Sequence, residues 1–243
     1  MKGLVLAAGK GSRLSELNLQ HKSLAIIQKK HVIDFSLDLL IGEDESHPLV
    51  SEIIIVVNHN SQTIINAIGN SYRKVPVKYV YQMELKGIAH AVLTAKEALS
   101  DDFILCLSDE ILLNPNLRGM IDEFNHTHAI CMCGVVIDSE YYSGKAIAYE
   151  TNEDGVIIKV TEKPQKYSND YRGIGECIFK KECLDYLSAL KPNSQRNELE
   201  MGNWIQMIAD NNDTARIYRL ADDYININYA EDLEIAQRFL DSK

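Results

Sequence analysis

The first fourteen residues constrain this chain most. Lys2-Gly3-Leu4-Val5-Leu6-Ala7-Ala8 is a short apolar run that ends at Gly9-Lys10-Gly11-Ser12-Arg13-Leu14. A run of that length reads as a buried strand. The glycines behind it permit a sharp turn and let backbone N–H groups approach a ligand, and Lys10 and Arg13 add positive charge at the same point. Strand, glycine loop and cations make a phosphate cradle at the carboxyl end of a strand, where open α/β sheets place their ligands. Spacing excludes two commoner phosphate loops. A Gly-Lys-Ser/Thr four residues after the first glycine is absent, and Leu14 stands where the dinucleotide fingerprint has its third Gly or Ala.

The pattern that follows alternates strand and helix. Strands are expected over 52–57, 75–81 and 102–107, the last stopping at Ser108-Asp109-Glu110. Helices are expected over 61–68, 88–99 and 116–126. This order implies an α/β fold, Rossmann-like, with a mixed and mostly parallel sheet and helices on both faces. The middle changes character. Segments 131–137, 146–151 and 156–161 read as strands without intervening helices, with Asn152-Glu153-Asp154-Gly155 as a hairpin turn. Helix returns around 204–209 and over 230–240. No linker or repeat divides the chain, so residues 1–243 are expected to form one domain. Its nucleotide-binding half covers about 1–130 and its acceptor-binding half about 131–243.

Composition narrows the partners. A net charge of −10 argues against nucleic acid or an anionic membrane as the main partner. The local cations Lys10, Arg13 and Lys22 stand out on that background and would focus an anionic substrate. The five cysteines include no Cys-x-x-Cys pair and read as reduced structural residues of a cytoplasmic protein, with Cys131 and Cys133 on one side of a strand. The opening apolar run is far too short to span a membrane. His126 and His128 have neither metal-pair nor catalytic spacing. The oligomeric state is left open.

Leu6 to Leu14, with Lys22 some residues on, resembles the start of the nucleotidyltransferases that make nucleoside-diphosphate sugars. The resemblance continues through Gln82 with Gly87-Ile88-Ala89-His90-Ala91, Leu107-Ser108-Asp109, Glu162-Lys163-Pro164, Glu198-Leu199-Glu200 and Tyr224-Ile225-Asn226. It implies the sheet of that family, a glycosyltransferase-A-like fold. It also implies transfer of a nucleoside monophosphate from a nucleoside triphosphate to a phosphorylated acceptor, with release of pyrophosphate. The base it points to is a pyrimidine, and the acceptor a sugar 1-phosphate.

The resemblance assigns Arg13, Lys22 and Lys163 to catalysis, where two anions must meet and charge and orientation replace a covalent nucleophile. Leu6, Ala8, Gly9, Gly11 and Ser12 would hold the nucleotide, with Gln82 and Gly87 at the base. Glu162, Asn169, Gly175, Glu198 and Tyr224 would face the acceptor. Magnesium would sit on Asp109 and Asn226, with Glu110 able to share the role and Asn228 as an alternative. Magnesium takes oxygen donors and uses only one or two from the protein. Asn226 departs from the family's usual Asp. His21 replaces a usual Pro before the lysine, Ala146-Ile147 a Tyr-Gly pair, and Gly173-Ile174-Gly175 a Thr-Gly. These departures leave room for a non-sugar acceptor such as phosphocholine, or for a non-catalytic regulatory relative. A glycosyltransferase is opposed by the absence of Asp-x-Asp at 109.

Overall fold

The computed structural model describes residues 1–9, 21–58, 62–137, 146–194, 196–211 and 214–241. Lys10, Gly11, Ser12 and Arg13 of the phosphate loop lie outside the described residues. The strands are β1 (Lys2–Leu6), β2 (Ile26–Ile27), β3 (Lys30–His31), β4 (Ile53–Val57), β5 (Ser71–Tyr72), β6 (Val75–Tyr81), β7 (Phe103–Leu107), β8 (Glu110–Leu113), β9 (Cys131–Ile137), β10 (Ile147–Thr151), β11 (Ile157–Glu162), β12 (Tyr171–Phe179), β13 (Ala215–Arg219) and β14 (Asp223–Asn226). The helices are α1 (Val32–Ile41), α2 (Gln62–Ile68), α3 (Ile88–Thr94), α4 (Leu117–His126), α5 (Met201–Asn211) and α6 (Ala230–Asp241).

Strands β7, β1, β4 and β6 run parallel in that order. Their Leu/Ile/Val content follows from burial on both faces, complete along the Ile-Ile-Ile-Val-Val of β4. Alternate side chains serve two cores. Leu4, Ile54, Val56, Phe103 and Leu105 face α3 and α5, where Trp204 stacks on Phe179 with centroids 4.2 Å apart. Val5, Ile53, Ile55, Ile104 and Cys106 face α1 and α4. Helices thus cover both faces, as the alternating pattern requires.

Strand β12 joins the two halves. Its end pairs antiparallel with β7 through 177–179, its start pairs with β10 at Gly173, and its other edge pairs with β9. The register slips between Gly173 and Cys177, a bulge that turns Gly175 toward the end of β7. A Cβ on Gly175 would lie 2.3 Å from Leu107 Cγ, so only glycine fits there. All five cysteines are free and buried, and Cys131 and Cys133 share a face with their sulfurs 3.6 Å apart.

Two expectations are modified. The helix expected over 88–99 is α-helical only to Thr94, whose hydroxyl donates back to the His90 carbonyl at 2.8 Å, and a 3-10 turn follows over Lys96–Ala98. The chain does leave β7 at Ser108, but it enters β8 at once. That short strand finds its partner, β14, more than a hundred residues away. This ribbon, with α6, forms a third apolar cluster around Ile111, Ile225 and Ile227. Among the described residues no helix is long and apolar enough to cross a membrane.

Candidate active site

Parallel strands end on one side of the sheet, and there the chain of β1 opens into the glycine loop. The first loop residues are pinned: Ala7 N–H donates to the Val56 carbonyl at 2.8 Å, and Asn58 Nδ2 donates to the Ala8 carbonyl at 2.7 Å. Beside them, a 3-10 turn over Lys22–Leu24 is fixed by Ser23 Oγ, 2.8 Å from Ser108 Oγ. That contact sets Lys22 against the end of β7, where its Nζ forms an ion pair with Asp109 Oδ2. Both side chains are largely buried, at 16% and 14% exposure, so the pair is more than a solvated surface contact. His21 is buried beneath. Burial, and then the charge of Lys22, hold its imidazole below the usual histidine range, so it is neutral at pH 7.

Around this pair lies one cleft with two lobes, of about 310 and 390 Å³, that share Ile88, Leu107, Glu162, Lys163 and Met201. Leu6, Ala8, Gly9, Lys22, Gln82, Gly87, Asp109 and Glu198 line the first lobe. Gly175, Tyr224 and Asn226 line the second. Glu162 and Lys163 stand between. Residues expected from eight separated segments therefore meet in one space.

At the far end of the first lobe, Gln82 is buried and its Nε2 is engaged. It lies 2.8 Å from His90 Nδ1 and 3.5 Å from the Gly87 carbonyl oxygen. Burial, and then Lys86, lower the His90 pKa, which keeps Nδ1 available as an acceptor. Gly87 has φ +98°, and a Cβ there would sit 2.5 Å from the Leu199 carbonyl oxygen. The glycine thus admits the chain's own backbone. Leu199 N–H donates to the Lys86 carbonyl at 2.7 Å, and Ala89 N–H donates to the Leu199 carbonyl at 3.0 Å. The segment at 82–89 and the segment at 198–200 form one wall.

On the acceptor side, burial raises the Glu162 carboxyl above its ordinary range, with Lys163 opposing. Lys163 is held at φ +47°, a left-handed conformation uncommon for lysine. Its Nζ is 3.9 Å from Glu162 Oε1. Arg196, which sequence reasoning passed over, lines the nucleotide lobe and pairs with the buried Glu200 four residues on. A cation four residues before a carboxylate was the available signal. Three acceptor-side expectations change. Glu198 lines the first lobe, beside Gln82 and Lys22, and not the second. Asn169 is not among the residues that line the cleft. Its Nδ2 donates to the Tyr149 carbonyl at 2.6 Å and its Oδ1 accepts from Tyr171 N–H at 3.0 Å, so its amide holds the strands that frame the site. Tyr224 reaches the cleft, but its ring is 4% exposed and packs in the core below, which leaves no open aromatic face.

Behind Asp109, Glu110 is buried. Burial, and then the Asp109 charge, push its carboxyl up to about 7. The next carboxyl inward, Glu176, is driven well above the carboxylate range by burial and by Glu110, and so keeps its proton. Its Oε2 has no hydrogen-bond partner among the described residues. The linkage has a definite sign. The unfolded chain gives up this proton above about pH 4.5 while the folded chain retains it, so the group costs stability as pH rises. Glu176→Gln has no proton to lose and still offers a donor to Glu110. Its melting temperature should fall less between pH 5 and pH 8 than the parent's. Parallel pH profiles in thermal melts would place the charge-bearing group elsewhere.

Residues 2–224 match the nucleotidyl transferase family. The chain belongs to it. Among its relatives is the UTP–glucose-1-phosphate uridylyltransferase AglF of Haloferax volcanii, 29% identical over 99% of this chain and 96% of that protein. Another is a glucose-1-phosphate thymidylyltransferase of Streptomyces antibioticus, 27% identical over 87% of this chain but only 58% of that longer protein. The fold matches a UDP-glucose pyrophosphorylase solved with UDP-glucose, with TM-score 0.84 and 20% identity over 100% of this chain and 99% of the other. It also matches the inositol-1-phosphate CTP transferase of T. maritima, with TM-score 0.77 and 17% identity over 99% and 94% of the two chains. The glycosyltransferase-A-like fold and the nucleotidyl transfer activity of the family are therefore those of this chain.

Proposed function

We propose that the chain transfers the nucleoside monophosphate of a pyrimidine nucleoside triphosphate to a sugar 1-phosphate and releases pyrophosphate. The observation that carries this reading is the single cleft in which Gln82, the Lys22–Asp109 pair and Glu162-Lys163 line up from one lobe to the other. The base belongs at Gln82. With Nε2 engaged by His90 and Gly87, the amide oxygen is what Gln82 has left to offer. An acceptor suits the N3–H of uracil or thymine, where cytosine could offer only its exocyclic N4–H2. The triphosphate runs from there toward Gly9 and Lys22. The acceptor lies in the second lobe, with its phosphate toward Lys163 and its hydroxyls toward Glu162.

The acceptor phosphate oxygen attacks the α-phosphorus, the bond to the β-phosphate oxygen breaks, and pyrophosphate carries the charge away. The work of the protein is to hold two anions in line and to offset charge as it builds. Lys22 serves the α-phosphate and Lys163 the incoming phosphate. The residues present fit magnesium: Asp109 offers a carboxylate to the first lobe, and Asn226, on the strand paired with the residue after it, offers an amide oxygen to the second. Those two would hold the ion, which when bound would supply positive charge against the phosphates. Lys22 would then exchange its contact with Asp109 for one with phosphate. An enzyme of this kind would work in the cytoplasm, where both substrates are made.

A screen that crosses UTP, dTTP, CTP, ATP and GTP with glucose 1-phosphate, other sugar 1-phosphates, inositol 1-phosphate and phosphocholine tests the reading through pyrophosphate release. UTP or dTTP with a sugar 1-phosphate is the expected pair, and turnover confined to CTP with a non-sugar acceptor would refute it. Gln82→Ala gives a finer prediction. It should lower kcat/KM for UTP and dTTP by about 1–3 kcal/mol of transition-state binding and change CTP little. An unchanged ranking would place the base elsewhere.

A further inference from the structure

Glu110 is built into the site more firmly than its neighbours. On the β8–β14 ribbon it stands directly opposite Asn226. Both its carboxylate oxygens accept N–H donors: Oε2 from the Gly175 backbone at 2.8 Å, and Oε1 from Asn226 Nδ2 at 3.1 Å. The bond to Asn226 decides which end of that amide is which. Nδ2 must face Glu110, so Oδ1 faces away. Oδ1 takes one donor from Asn228 Nδ2 at 2.8 Å and keeps a second lone pair. A carboxylate at position 226 would bring no donor. It would set oxygen against oxygen at a buried contact, and a lost donor there leaves Glu110 unsatisfied.

We infer that Glu110 is a positioning residue that makes Asn226 a neutral metal ligand: it fixes which end of the amide is left for a cation, and it requires an amide at that position. The inference rests on the reading of Asn226 as a ligand. Its consequence runs against simple charge counting. Asn226→Asp adds a negative charge beside a divalent cation, yet weakens the site because it breaks the match with Glu110. The match can be inverted. Glu110→Gln combined with Asn226→Asp restores a donor and an acceptor across the ribbon, leaves the Gln oxygen for Gly175 N–H, and keeps the net charge of the parent.

Four proteins test this: the parent, the two single variants and the double variant. They are melted without metal and again over a magnesium titration, and their pyrophosphate release is followed against magnesium. Each single variant should melt roughly 2–4 °C below the parent without metal, and the double variant should recover most of the loss. The half-saturating magnesium concentration should rise about tenfold in Glu110→Gln, as for loss of an outer-shell partner, and fall back in the double variant. Single-variant losses that simply add in the double variant would overturn the inference. A fifth protein, Asn226→Ala, separates it from the underlying reading. If its magnesium titration matches the parent's, Asn226 is no ligand, and even a coupled melt would then mark a structural pair only and overturn the positioning role. A raised magnesium requirement in Asn226→Ala with additive melts would keep the ligand and remove Glu110 from its positioning.

Discussion

Lys22→Ala should lower kcat by about a hundredfold or more at saturating substrates, the range found when a group that stabilises transition-state charge is removed. The structure ties this residue to the reaction in two ways. Its 3-10 turn is held to the end of β7 by the Ser23–Ser108 contact, and its ammonium already sits on Asp109, the carboxylate offered to the metal. The expected effect is on turnover rather than on folding. The ion pair is largely buried but opens on the cleft, and water can replace the ammonium at Asp109 when the side chain is gone. A melting temperature within a few degrees of the parent should accompany the loss. Lys22→Arg should recover only part of it, because a planar guanidinium does not replace a compact ammonium in a fixed geometry. Near-parent kcat in Lys22→Ala would remove the residue from the mechanism.

Gly87→Val should be as damaging, for a different reason. The backbone at φ +98° disfavours any side chain, and the Cβ would meet the Leu199 carbonyl oxygen at 2.5 Å. Left-handed strain and overpacking together amount to roughly 2–5 kcal/mol. The chain can relieve them only by parting 86–89 from 198–200. That wall carries both Gln82 and Glu198 in the nucleotide lobe, so KM for the nucleotide should rise together with a loss of stability. A variant that melts like the parent and loses nucleotide binding alone would mean that the base itself fills the space beside Gly87.

That glycine shows where sequence reasoning ends. Its presence in the base segment was legible. Its cause was not, because the atom that demands it belongs to Leu199, more than a hundred residues away. The same holds across the fold. Strands β4, β6 and β9 were readable from β-branched and apolar runs that their own burial requires, and α4 from Asn116, whose Oδ1 caps Gly119 N–H at 2.9 Å. The bulge in β12 and the β8–β14 ribbon were not readable, since each is defined by a distant partner. At the site, Gln82, Asp109 and Lys163 came from motifs with local spacing. Arg196 and the Glu110–Glu176 pair did not, because their meaning lies in what burial and neighbouring carboxylates do to them. Asn169 erred in the opposite direction: an amide in the right region was already occupied by Tyr149 and Tyr171.

The central claim is that both substrates meet in this cleft and that the nucleotidyl group passes directly between them, with no bond to the protein. Exchange of labelled pyrophosphate into UTP or dTTP tests it most directly. With a sugar 1-phosphate and magnesium present, label should enter the triphosphate as the reaction reverses, and with the sugar phosphate omitted it should not. Exchange in the absence of any acceptor would reveal a nucleotidyl-protein intermediate and contradict the account.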